Sequence, residues 1–104
     1  MRIFLDDKRQ EPEDWVRCYW PNEVITLLEK HGPEVTHLSL DHDLGDDDRG
    51  TGYTVMLWLE EQVLLGKLKY IPIITFHTDN PVGREKMASS LAVIQSFINL
   101  GERV

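Results

Sequence analysis

Only one of the 104 residues is a cysteine, Cys18. An intramolecular disulfide and a cysteine-based zinc site are therefore both excluded, which fits a reducing compartment. Set among Trp15, Tyr19 and Trp20, this cysteine reads as a small buried residue and not as a nucleophile. Long apolar runs are missing as well. None approaches the ~20 residues that span a bilayer, and residues 1–7 turn acidic too soon for a signal peptide. The expected location is cytoplasmic, with no membrane partner. Positive charge is scarce, with 11 Lys and Arg against 18 Asp and Glu and a net charge of −7. A broad nucleic-acid surface needs clustered Lys and Arg and is excluded, whereas a small nucleotide in a local pocket is not. Repeats, linkers and low-complexity segments are absent too, so one domain is expected over residues 1–104.

What is present is an alternation of short apolar runs with amphipathic ones. Ile3, Phe4 and Leu5 form a run stopped by Asp6 and Asp7 and predict a strand. Residues 10–14 are polar, contain Pro12, and predict a connection. Residues 15–20, aromatic and β-branched, predict a second strand. Pro21 opens a helix whose face carries Val24, Ile25 and Leu28, with Gly32 and Pro33 ending it. Residues 35–40 predict a strand that delivers Asp41, and residues 42–52 predict a loop with three glycines. Val55, Met56, Leu59 and Val63 stand at helical spacing up to Gly66. Residues 70–76 predict the last strand, with Pro72 suited to its start or to an edge. Asn80 and Pro81 look like an N-cap and a first-turn proline. Met87, Leu91, Ile94 and Ile98 then form the stripe of a helix closed by Gly101.

The order β-β-α-β-α-β-α implies parallel strands joined by right-handed crossovers. In such sheets the ligand site lies at the carboxyl ends of the strands. Three strands end in chemistry there: Asp6 and Asp7; Asp41, His42 and Asp43; His77 and Thr78. Any one of these alone is an ordinary turn residue or cap, but together they crowd carboxylates that repel unless a cation neutralises them. An oxygen-rich set suits Mg²⁺, Mn²⁺ or Ca²⁺. An EF-hand loop starting at Asp41, Asp43 or Asp46 would need Glu at its twelfth position, where Gly52, Thr54 and Leu57 stand. His31 and His37 lack zinc-site spacing and read as structural or surface groups. Lys8 and Arg9 follow the acidic pair, Arg49-Gly50-Thr51-Gly52 precedes one helix, and Asn80-Pro81-Val82-Gly83-Arg84 opens another. Their free helix-start N–H groups favour an anion, and with a cation present they suggest a phosphate ester.

The acidic pair after the first strand, Asp41 after the third and Thr78 after the fourth resemble receiver domains of two-component signalling. The chain more closely resembles the cyclic-phosphate-processing receiver-like domains. This closer resemblance rests on Leu5-Asp6-Asp7-Lys8-Arg9 with Pro12 and Trp15, and on Ser39-Leu40-Asp41-His42-Asp43-Leu44-Gly45. It continues through Thr51-Gly52-Tyr53 with Trp58-Leu59, and His77-Thr78-Asp79-Asn80 with Gly83 and Met87. It implies a small flavodoxin-like α/β fold, a three-layer sandwich with a mainly parallel sheet of about four strands in the order 2-1-3-4, lacking a fifth strand, its lysine and the last helix.

The function that this resemblance implies, with the acidic cluster and His77 at one sheet edge in its support, is metal-dependent opening of a cyclic phosphate on a small nucleotide or an RNA end. Asp6, Asp7 and Asp41 are expected to hold Mg²⁺ or Mn²⁺. His77 or His42 is the expected general acid or base, because imidazole titrates nearest neutral pH, and Asp43 is expected to orient His42 or a metal-bound water. Arg9, Arg49, Thr78 and Asn80 are the expected phosphate-binding residues. Two other classes stand beside this one: a signalling module accepting phosphate on Asp41, and a module that binds a nucleotide without turnover. With one sheet edge exposed, a homodimer or partner contact is also expected.

Overall fold

The computed structural model describes residues 1–102, so the expectation of one domain over residues 1–104 reaches two residues past them. Four strands, β1 (Arg2–Leu5), β2 (Val16–Cys18), β3 (His37–Leu40) and β4 (Ile73–Phe76), pair only in parallel, in the order β2-β1-β3-β4. Three helices, α1 (Pro21–His31), α2 (Gly52–Leu64) and α3 (Pro81–Glu102), follow the second, third and fourth strands. The expected receiver-like α/β fold and strand order are therefore present.

The second, third and fourth strands are shorter than the runs that predicted them, for local reasons. The backbone N–H groups of Tyr19 and Trp20 both donate to the Glu23 carboxylate at 3.0 Å, which turns the chain out of β2 and into α1. Val35 N–H donates to the Gly32 carbonyl at the end of a short 3-10 turn, delaying β3 to His37. Pro72 has no N–H, and the β4 ladder starts with Ile73 N–H donating to Thr36 O at 2.9 Å. The expected loop 42–52 contains a 3-10 turn, Asp47–Arg49, and α2 begins on its last residue. At the other end, α3 passes through Gly101 to Glu102 and does not close at the glycine.

Strand alternation divides the sheet into two different faces. Ile3, Leu5, Cys18, Leu38 and Leu40 share one face and are all buried. They join one core cluster with Val24 and Leu28 of α1, Val55, Met56, Leu59 and Val63 of α2, and Met87 and Ile94 of α3. Each such side chain contributes roughly 1.5–3 kcal/mol by leaving water, and they hold the helices to the sheet. Phe4, Arg17, Ser39 and Thr75, in register with one another, occupy the opposite face and lie outside that cluster. This corrects the three-layer expectation, because all three helices pack on one face and the layers are two. The cause is topological: both crossovers run toward β4, and right-handed crossovers running the same way place their helices on the same side. The second face is covered in part by Trp15, whose ring meets Phe4 edge-on at 6.4 Å. No described helix is long and apolar enough to cross a membrane.

Candidate functional site

A cleft of about 400 Å³ opens at the carboxyl ends of β1, β3 and β4. Its walls carry Asp6, Asp7, Lys8 and Arg9 from the β1 end, Asp41, Asp43 and Gly45 from the β3 end, and Thr78 and Asp79 from the β4 end. Asp6 is fully buried and Asp41 is 7% exposed.

Asp6 owes its place to its own loop. Its Oδ1 accepts the backbone N–H groups of Lys8 at 2.8 Å and Arg9 at 3.1 Å. Its Oδ2 receives Arg9 Nη1 at 3.1 Å and His77 Nε2 at 3.0 Å. Burial alone would raise the pKa of this carboxyl, but those N–H groups and the guanidinium hold it below its ordinary value. Arg9 then reaches across the cleft. Nη1 lies 3.3 Å from Asp41 Oδ2, and Nη2 lies 2.6 Å from Asp79. One guanidinium thus contacts carboxylates from all three strand ends, and the hydrogen bond to Asp6 raises its own pKa.

The helix starts close the rear of the site. Gly52, first residue of α2, packs so tightly on the Asp41 carbonyl that no Cβ fits there, and its N–H donates to His42 O at 3.1 Å. Gly45 is left-handed at φ 87°, and a Cβ there would lie 3.2 Å from Asp7 Oδ2. Asn80 caps α3, its Oδ1 accepting Gly83 N–H at 3.0 Å. The Asn80 side-chain amide also donates to both Asp43 oxygens at 3.2 and 3.3 Å. His42 Nδ1 lies 2.9 Å from Asp43 Oδ1, and this bond lowers the Asp43 pKa.

The expected residues are thus mostly assembled, with differences in orientation. Asp6, Asp7, Asp41, Asp43, Arg9 and Thr78 line the cleft. Asn80 and His42 stand beside it, joined to Asp43. His77 is not part of the lining. Its ring stacks on Phe4, with centroids 4.4 Å apart and planes 4° apart, and its Nδ1 lies 2.7 Å from Ser39 Oγ. Burial lowers the His77 pKa, against the opposing pull of Asp6. Arg49 is not brought to the cleft; its guanidinium lies 3.9 Å over the Trp20 ring, a cation–π contact. Two participants escape the sequence reading. Asp79 is an exposed residue inside a motif, and Ser39 is an interior strand residue whose face depends on its register with Phe4.

Asp6, Asp41 and His77 offer ligand atoms within 4.8 Å of one another, a group that could hold a metal ion. The cleft-facing donors are carboxylate oxygens, which suit a hard cation. Among the described residues, Asp7 has no ion pair or side-chain hydrogen bond, and only one oxygen of Asp41 accepts a protein hydrogen bond, from Arg9. The donor set therefore fits a divalent cation in partial exchange for the Arg9 contacts.

No curated protein and no solved structure matches the chain. A family model does: that of the cyclic-phosphate processing receiver domain, over residues 1–93. With that model covering most of the chain, and with the parallel 2-1-3-4 sheet ending in this acidic cleft, the chain belongs to the family of cyclic-phosphate processing receiver domains.

Proposed function

We propose that the cleft binds a cyclic phosphate on a small nucleotide or an RNA end and opens it by hydrolysis, within a single domain. The observation that carries this reading is the meeting of two largely buried carboxylates from different strands, Asp6 and Asp41, with Arg9 at the mouth of one cleft. Five acidic residues line that cleft against Lys8 and Arg9, so a phosphate enters favourably only with further positive charge. Asp6, Asp7 and Asp41 would hold Mg²⁺ or Mn²⁺, which supplies Lewis-acid polarisation of a phosphoryl oxygen when bound. Arg9, freed in part from the carboxylates, turns its planar guanidinium to the non-bridging oxygens. Thr78 and Asn80 hold the β4 side of the phosphate. Water forms the new P–O bond, and His42, with Nδ1 fixed by Asp43, carries one proton to the ring oxygen that leaves as its own P–O bond breaks.

The test uses purified protein with Mg²⁺ or Mn²⁺ and a panel of 2′,3′-cyclic and 3′,5′-cyclic nucleotides and RNA ends. Ring opening that is lost in Asp41→Ala together with Mn²⁺ binding supports the reading. Intact substrates at every metal concentration overturn it. Tight uptake of unchanged ligand would instead make the domain a nucleotide-binding module.

A further inference from the structure

Among the described residues β4 ends the sheet, with β3 on one side and no strand on the other. The N–H groups of Ile73 and His77 donate toward β3, to the carbonyls of Thr36 and Leu40. Backbone groups alternate in direction along a strand, so Thr75 also faces β3, while Ile74 and Phe76 direct their N–H and C=O groups outward. Proteins commonly guard such an edge with a charge or a proline inside the strand. Here Pro72 stands before the strand, and residues 70–76 hold no Lys, Arg, Asp or Glu. The other edge differs, because β2 has only three residues and carries Arg17, which is paired with Glu11.

Apolar surface lies alongside this open edge. Tyr70 is 66% exposed and Ile73 63%. A groove of about 460 Å³ runs between β4 and α3, with Ile71, Ile74, Leu91 and Ile98 in its walls and no charged residue lining it. Charge stands instead at the two ends of the strand. Lys67 and Lys69, both exposed, precede β4, and the exposed Asp79 follows it.

We propose that this edge pairs antiparallel with the same edge of a second copy, giving a symmetric dimer with one continuous sheet. Ile74 of each copy exchanges both backbone hydrogen bonds with Phe76 of the other, and the two Thr75 residues meet at the two-fold axis as a non-hydrogen-bonded pair. Directly opposite residues share a face, so the helices of both copies lie on one side of the joined sheet and the two grooves come together. Two features favour this partner and this direction. A chain of net charge −7 repels its own copy unless they meet through an uncharged surface. The antiparallel arrangement also brings the lysines of each copy to the end where the other carries Asp79, whereas a parallel one sets lysines against lysines.

Charges placed at the axis test this, because Thr75 is exposed and stands outside the cleft lining. Sedimentation equilibrium is expected to show the wild type as a dimer. Thr75→Lys and Thr75→Glu each set like charges against one another, and each is expected to weaken the dimer about tenfold or more. An equimolar mixture of the two variants is expected to restore it. A wild type that stays monomeric at millimolar concentration overturns the proposal and leaves the edge to a strand from another protein. A dimer untouched by both substitutions, or a mixture no tighter than its components, overturns it too, since the contact then lies elsewhere or in another register. Should either variant fail to fold by circular dichroism, Thr75→Cys takes the place of the pair. A disulfide between copies under air oxidation then supports the proposal and its absence overturns it, with the buried Cys18 unable to compete. None of these readouts involves metal or substrate, so the result is independent of the functional reading.

Discussion

Arg9 Nη1 lies 3.3 Å from Asp41 Oδ2, so the loop after β1 supplies the charge that the end of β3 requires. The same nitrogen contacts Asp6 at 3.1 Å. Removing the guanidinium in Arg9→Ala leaves two largely buried carboxylates facing each other without it. Thermal unfolding followed by calorimetry should show a lower midpoint than wild type. Added Mg²⁺ or Mn²⁺ should raise the midpoint of the variant more than that of wild type, because the ion then takes over the lost charge. An unchanged midpoint would remove Arg9 as the counter-ion of the cluster.

Asp6 sets the acid limit of stability. Its folded pKa lies below the ordinary value of 3.8. Its contribution is therefore complete above that value and is lost as pH falls through the folded pKa. Acid titration followed by circular dichroism should show Asp6→Asn less stable than wild type at neutral pH, with a shallower loss below pH 4. Parallel curves for the two proteins would contradict the assignment.

Cys18 sets a limit at the alkaline end. Burial pushes its thiol from 9.0 up to about 11, and it is 2% exposed. A thiol reagent at pH 8 should label the unfolded chain and leave the native one unmodified on the same timescale. A folded pKa above the unfolded one means stability present below pH 9 and lost as pH rises toward 11, by about 2–3 kcal/mol in all. Cys18→Ala should lack this component in denaturant titrations run across that range. Rapid labelling of the native protein would show the site to be open.

Gly45 holds a left-handed conformation next to Asp7. Gly45→Ala should cost about 1–2 kcal/mol for the backbone alone. It should also displace the Asp7 carboxylate, which a weaker Mn²⁺ affinity would report. A variant as stable as wild type, with the same affinity, would mean the loop adapts freely.

Much of this is written in the chain where a property is local. The apolar runs located all four strands, and Asn80 and Pro81 marked the start of α3, because periodicity and capping act over a few residues. The arrival of Asp6, Asp41 and Thr78 at one edge follows from strand polarity. What was not legible depends on reach and direction. Arg9 meets Asp41 and Asp79 at 32 and 70 positions along the chain, and nothing in the spacing tells a phosphate anchor from an internal counter-ion. His77 reads as a strand-end base, but its ring stacks on Phe4 and its Nε2 is taken up by Asp6. Arg49 reads as a phosphate ligand beside a helix start, while the Trp20 ring offers it a nearer face. The layer count, by contrast, was recoverable from the handedness of two crossovers that run the same way.

The three contacts of Arg9 also bear on how the domain opens. Asp6, Asp41 and Asp79 belong to loops that follow different strands, yet a single side chain joins them. The three loops therefore share one contact, and its loss is expected to favour the opening of each. Amide hydrogens in all three should lose protection together in Arg9→Ala, and a ligand that captures the guanidinium should lower that protection before it moves any strand.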